Sequence, residues 1–281
     1  MIIWIASYPK SGNTLLRSIL GTYFFSNDGI FDFQYTYRIG QFPVLDYFKR
    51  VGVDITNDEE IFKNYIKAQD LFNKENKSIK FFKTHSAFFD RDTDQAKFSN
   101  SANTLGAIYI VRDPRNIVSS FAHHYQLNID DATDQICNKK LSSDRTEIHP
   151  ETFISSWKLN YLSWKSLGKK VLIIKYEDLI GDKKKKTLIK IFDFFKTLGM
   201  NQKSFNIAKL NKVIKSTEFN KMKDMEKKIG FREAIINNQT GDRIPFFNKG
   251  PKNKWKEILD SKNVKKIEEA FKKEMAELGY I

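Results

Sequence analysis

Four short apolar runs punctuate the chain, and each stops at polar residues that carry chemistry. They are Ile2–Ser7, 79–83, 105–112 and 171–176. Runs of this length bounded by turn signals read as buried strands. Between them apolar positions recur at helical spacing. Leu15, Leu16, Ile19, Leu20 and Tyr23 follow the first run. Phe153, Trp157, Tyr161 and Trp164 share one face of a helix predicted over 151–167. Leu188, Ile191, Phe192, Phe195 and Leu198 do so over 187–198, and Val264, Ile267, Phe271, Met275 and Leu278 form a last helix. Gly168, Gly199 and Gly279 stand just past these three helices, where a left-handed residue ends a helix. Strands alternating with helices imply parallel βαβ units, hence an α/β fold with a central parallel sheet flanked by helices. Residues 26–78 and 126–150 show no clear period and read as insertions that shape a pocket or lid. Residues 220–253 mix Gly, Asn, Lys and Arg and read as a mobile segment.

In such sheets ligands sit beyond the C-terminal strand ends. The first run ends in Tyr8-Pro9-Lys10-Ser11-Gly12-Asn13-Thr14. A strand, a tight turn and a helix start together form an anion cradle of backbone amides, to which Lys10, Ser11 and Thr14 add donors. It is not a Walker A loop, because Lys10 precedes the only glycine instead of following a second one. Taken alone, it equally fits an ordinary βα turn. The second run ends Lys83-Thr84-His85, a cation and a general base at one strand mouth. The third ends at Arg112, before an Asp113-Pro114 helix start. Ser120 lies two turns on, and the pair suits a phosphate. The fourth ends Tyr176-Glu177-Asp178: the ring can cover a base or simply pack, and the acids can hold a metal as a Walker B acid does. Asn248-Lys249-Gly250 is a basic loop able to close on a phosphate, or a plain turn.

Composition narrows the class. With 281 residues, 41% of them hydrophobic and 24 of them Phe, the chain can bury a core. No apolar run reaches membrane-spanning length, and the N-terminal run is too short for a signal sequence. A single cysteine, Cys137, excludes an intrachain disulfide and a thiolate metal cluster, and implies a reducing cytoplasm. Charge is uneven: 17 Lys and Arg against 16 Asp and Glu over residues 1–140, and 31 against 18 over residues 141–281. The excess favours anionic partners, although an abundance of Lys beside Asn, Ile and Phe accounts for much of it.

Taken together the segments resemble the PAPS-dependent sulfotransferases of the cytosolic type (PAPS is 3′-phosphoadenosine 5′-phosphosulfate). The family's TYPKSGTTW-like loop is matched by Ser7 to Leu15, its K-T-H by Lys83, Thr84 and His85, and its R-x7-S by Arg112 and Ser120. Its Y-E-D is matched by Tyr176 to Asp178, its T-S-F-x-x-M by Thr217 to Met222, and its R-K-G by Asn248, Lys249 and Gly250. The resemblance runs from residue 2 to about residue 256 in the family's order. It implies a three-layer P-loop-like fold, residues 1–281 forming a single sulfotransferase domain.

It also implies roles. Lys10, Ser11, Gly12, Asn13, Thr14 and Leu15 would hold the 5′-phosphosulfate end, with Lys83, Asn13 and Thr14 on the sulfuryl oxygens and 5′-phosphate. Arg112, Ser120, Lys249 and Gly250 would take the 3′-phosphate, and Tyr176, Thr217 and Phe219 the adenine. His85 would deprotonate the acceptor, Lys10 would stabilise the leaving oxygen, and no metal is needed. The product is adenosine 3′,5′-bisphosphate (PAP). Three departures stand out: Leu15 where many relatives have Trp, Glu218 for a small hydroxyl residue, and Asn248 for Arg, with Lys252 or Lys254 as compensating cations. The implied partner is a small-molecule, lipid or glycan hydroxyl (or amine) acceptor, not nucleic acid, with a possible homodimer. The alternatives are a P-loop kinase using ATP-Mg, with Glu177 and Asp178 on the metal, and a non-catalytic anionic-polymer binder using the basic second half.

Overall fold

The computed structural model of the chain describes residues 1–75, 78–88, 98–200, 205–237 and 239–281. The predicted segments at 26–78 and 220–253 therefore include residues 76, 77 and 238, which lie outside the described ones. In chain order the strands are β1 (Ile2–Ser7), β2 (Gly40–Gln41), β3 (Lys80–Thr84), β4 (Thr104–Val111), β5 (Ser142–Ser143), β6 (Thr152–Phe153), β7 (Val171–Lys175), β8 (Ile235–Ile236) and β9 (Arg243–Ile244). The helices are α1 (Asn13–Phe25), α2 (Phe33–Tyr37), α3 (Leu45–Arg50), α4 (Asp58–Lys63), α5 (Tyr65–Glu75), α6 (Pro114–Tyr125) and α7 (Ile129–Cys137). They continue with α8 (Trp157–Lys165), α9 (Tyr176–Ile180), α10 (Lys184–Thr197), α11 (Ile207–Ser216), α12 (Phe219–Ile229) and α13 (Ser261–Glu277). The central sheet runs β2-β3-β1-β4-β7, and every neighbouring pair in it is parallel.

Strand β1 explains the layering. Its six residues are all buried. Because successive side chains point to opposite faces, Ile2, Trp4 and Ala6 enter one core with Phe42, Phe82, Phe98 and Trp164. Ile3 and Ile5 enter the other, with Leu16, Ile19, Leu188 and Ile191. Strand β4 repeats the split, Tyr109 facing the first core and Ile108 and Ile110 the second. A strand apolar on both faces must be covered on both faces, so the helices form two outer layers.

The four predicted strands are present, β1 with the predicted bounds and the other three with ends shifted by one residue. The Tyr176 position differs in kind: it opens α9 instead of closing β7. The helix predicted over 151–167 begins only at Trp157, where the Ser156 hydroxyl caps Leu159 N, and Phe153 lies in β6. The apolar stripe itself is intact, with Trp157, Tyr161 and Trp164 buried. Gly168, Gly199 and Gly279 all have positive φ, as helix stops do. The segment read as mobile contains α12 and a β8–β9 hairpin. The Glu226 carboxylate holds it down by accepting from Phe246 N at 2.7 Å and Phe247 N at 2.9 Å. Phe31, Phe33, Met222, Phe231 and Phe247 form a third, small core beneath it.

Trp4 is fully buried and donates from Nε1 to Thr104 Oγ1 at 2.9 Å. Trp4→Ala should cost about 3–5 kcal/mol, read as a lower urea midpoint at unchanged m.

Candidate active site

The C-terminal ends of β1, β3, β4 and β7 open into one cavity of about 1190 Å³. Lys10, Gly12, Asn13, Thr14 and Leu15 line it, and so do Lys83 and His85. Arg112, Ser120 and Tyr176 contribute from the neighbouring strand ends, and Thr217, Phe219, Asn248, Lys249 and Gly250 from late in the chain. Of the residues expected to hold the donor or act in catalysis, Ser11 is the one set back. Its side chain is fully buried and its hydroxyl has no partner, while its amide closes the turn onto Tyr8 O at 3.3 Å.

The first turn is shaped by close approach. Gly12 has φ of 100°, and a Cβ there would lie 2.3 Å from Cδ2 of Tyr176. Lys10 also takes a left-handed φ, 64°. Asn13 ties the start of α1 back to the strand, donating from Nδ2 to Ile5 O at 2.9 Å and Ser7 Oγ at 3.2 Å. Its side-chain amide is thereby used in building the loop, and the backbone amide is what it offers a ligand. No side chain caps α1, so its first-turn amides keep their donor capacity for an anion.

His85 is held in one orientation. His85 Nδ1 lies 2.7 Å from Ser7 O, and Asn160 Nδ2 donates to the His85 carbonyl at 3.0 Å. A carbonyl only accepts, so Nδ1 carries the proton and Nε2 keeps its lone pair. Burial, reinforced by the Lys83 charge, lowers the His85 pKa to about 3. The imidazole is therefore neutral at pH 7. Burial likewise lowers Lys10 to about 7 and Lys83 to about 8. Lys10 Nζ sits 4.2 Å from the centre of the Phe246 ring, whose π face attracts it.

Arg112 and Ser120 meet as expected, Nη1 lying 3.3 Å from Oγ. The same guanidinium donates to Lys10 O at 2.8 Å and lies over the Tyr176 ring at 4.5 Å, while its buried Nε has no partner. The late loop reaches this group through Asn253, whose Nδ2 donates to Ser120 Oγ at 3.2 Å and Asn116 O at 2.7 Å. Neither Lys252 nor Lys254 lines the cavity. Lys254 pairs instead with Glu257 at 3.4 Å. Phe219 packs so tightly on Gly250 that a Cβ there would lie 2.3 Å from its ring. Glu218 is paired with Lys221 at 3.6 Å. The Glu177 carboxylate, a candidate metal ligand, accepts instead from Asp113 N and Tyr280 OH, each at 3.1 Å.

Sequence reasoning missed four residues here. Asn253 is one. His124 lines the cavity one turn beyond Ser120, and burial together with Lys10 lowers its pKa to about 3. Arg17 lies one turn beyond Thr14 and is 3% exposed. Helical spacing from the motif residues would have found both. Glu233 is the fourth: it forms an ion pair with Arg17, accepts from Thr14 Oγ1 at 2.8 Å and lies 4.0 Å from Lys83 Nζ. Burial pushes its carboxyl up, but Lys83 and Arg17 outweigh that and hold it below the usual carboxylate range. Nothing in its local sequence marks it.

Such an arrangement, with amides, lysines and an arginine at the tips of parallel strands and a neutral histidine between them, defines a P-loop-like α/β protein built to hold an anionic ligand. The model of the sulfotransferase domain family matches residues 2–279, and the chain belongs to that family. Luciferin sulfotransferase of Photinus pyralis is 24% identical over 292 residues, covering 99% of this chain and 73% of that protein. Among solved structures, mouse sulfotransferase SULT7A1 complexed with PAP superimposes with a TM-score of 0.62 at 23% identity, covering 97% of this chain and 83% of that one. Retinol dehydratase in complex with androsterone and inactive cofactor PAP gives a TM-score of 0.59 at 18% identity, covering 98% and 80%.

Gly12→Ala should lower stability by about 1–3 kcal/mol through its left-handed φ, and further by its collision with Tyr176. Thermal melts of Gly12→Ala and of Gly12→Ala with Tyr176→Ala test this, the second change recovering only the collision part.

Proposed function

We propose that the chain moves a sulfuryl group from PAPS to a hydroxyl or amine acceptor by in-line displacement, residues 1–281 acting as one domain. The observation that carries this reading is the neutral His85, its Nδ1 held on Ser7 O, in one cavity with Lys10 and Lys83. The residues fit the donor. Arg112 offers a buried Nε without a partner beside Ser120. Tyr176 and Phe219 supply rings for the adenine, and the approach of Gly12 to Tyr176 leaves room only for backbone there. That mouse sulfotransferase SULT7A1 and retinol dehydratase, which share this fold, are complexed with PAP supports the same donor.

The chemistry then follows from the positions. His85 Nε2 takes the proton of the acceptor hydroxyl. The oxygen attacks sulfur, the new O–S bond forming as the bond from sulfur to the bridging phosphate oxygen breaks. Negative charge collects on the 5′-phosphate of PAP, where Lys10 and the α1 amides stabilise it. Lys83 and Thr14 hold the sulfuryl oxygens. The acceptor would enter past Gln41, Phe42, Thr146, His149 and Ile154, which line the cavity on the His85 side. Retinol dehydratase holding androsterone supports a small-molecule acceptor. Among the described residues no helix is long and apolar enough to cross a membrane. The free Cys137 supports a reducing, cytoplasmic setting.

PAPS and PAP should each raise the melting temperature without added metal, and ATP should not, because a ligand bound only by the native state stabilises it. An equal shift with ATP, or one that needs magnesium, would sink the donor assignment. His85→Ala should lower kcat by roughly 10²-fold or more with little change in PAP affinity. The wild-type kcat/KM for PAPS should show no loss as pH falls from 7 through the ordinary histidine range, because His85 stays neutral there. It should fall as pH rises past about 7, where free-enzyme Lys10 loses its proton. Near-normal turnover in His85→Ala would remove this residue from the role of base.

A further inference from the structure

Glu233 has no part in the reaction just described, yet its carboxylate stands among the groups assigned to the sulfuryl end of the donor. Oε2 accepts from Thr14 Oγ1 at 2.8 Å, and Oε1 pairs with Arg17 and lies 4.0 Å from Lys83 Nζ. Glu233 is also the strongest favourable charge acting on both Lys10 and Lys83. Arg17 is 3% exposed, and no basic side chain of that burial stays charged cheaply without a counter-ion. Thr14 has one hydroxyl proton and cannot serve two anions at once. A sulfuryl group brought to Thr14 and Lys83 would set a second anion against the carboxylate, and like charges so close repel. Glu233 sits two residues before the β8–β9 hairpin, on a stretch joined to α12 through Gly230, whose φ is positive. The chain can therefore shift there without breaking a sheet or a long helix.

We propose that Glu233 is a displaceable internal anion: it occupies the sulfuryl end of the donor site, competes with PAPS for Thr14 and Lys83, and so sets donor affinity. The inference rests on the PAPS reading above. When the donor binds, the carboxylate leaves Thr14 and Lys83. After transfer it returns to them, which favours release of PAP.

The test is calorimetric titration of PAPS, without acceptor, into the wild type, Glu233→Gln and Glu233→Asp. Glu233→Gln removes the competing charge and should tighten PAPS by about tenfold, a typical size for coupling between two binding equilibria. Glu233→Asp keeps the charge but shortens the reach to Thr14, and should tighten PAPS in the same direction by less. It carries the test if Glu233→Gln does not fold. An ion pair that merely braces the fold predicts lower melting temperatures with PAPS affinity unchanged or weaker, and that result overturns the proposal. Wild-type protein that binds no PAPS would overturn the donor reading and this inference with it. Wild-type binding with no tightening in the variants overturns this inference alone.

Discussion

Parallel strands deliver their C-terminal ends to one side of a sheet, and everything at this site depends on that. Strand β1 is apolar on both faces, so it lies in the middle of the sheet under two layers of helices. Its neighbours β3 and β4 run alongside in the same direction, with Ala6 opposite Thr84 and Ser7 opposite Ile110. Lys10, His85 and Arg112 follow those paired ends within a few residues. Their convergence is a consequence of that shared direction and register.

Gathering cations at one edge creates an electrostatic problem that the fold answers locally. Lys10, Lys83 and Arg112 face the same space, with Arg17 buried behind Thr14, and burial alone already favours the uncharged lysines. Aromatic faces take part of the load: Lys10 lies over Phe246, and Arg112 over Tyr176. Glu233 takes another part through Arg17 and Lys83. A site assembled this way is prepared for an anion of higher charge than one carboxylate. The imidazole benefits from the same field. Burial, with the Lys83 charge adding to it, keeps His85 neutral.

The late segment is where local pattern and tertiary structure part. Residues 220–253 have the composition of a solvated loop, yet α12 forms and Phe231 and Phe247 join Phe31, Phe33 and Met222. The tie is Glu226, whose carboxylate takes two successive backbone amides from a loop twenty residues away. In the helix predicted over 151–167, the aromatic stripe was legible but its start was not. Ser156 is the cap that matters, and Phe153 pairs with Ser142 in a small antiparallel ladder instead. Tyr176 is similar: its place at a strand mouth was readable, but its role as the ring against Gly12 and Arg112 needed three segments in contact.

The amino-acid order by itself determined the four main strands, their helical crossovers and the residues at their tips. These depend on periodicity and turn chemistry, which act over a few neighbours. It also carried the family motifs, because each is a contiguous piece of backbone geometry. Tertiary structure alone decided which charges meet. The pairing of Arg17 and Thr14 with Glu233 spans more than two hundred residues, and the docking of Asn253 on Ser120 spans 133. Charge acts through space and not along the chain, so partners brought together by a packed core leave no local trace of each other.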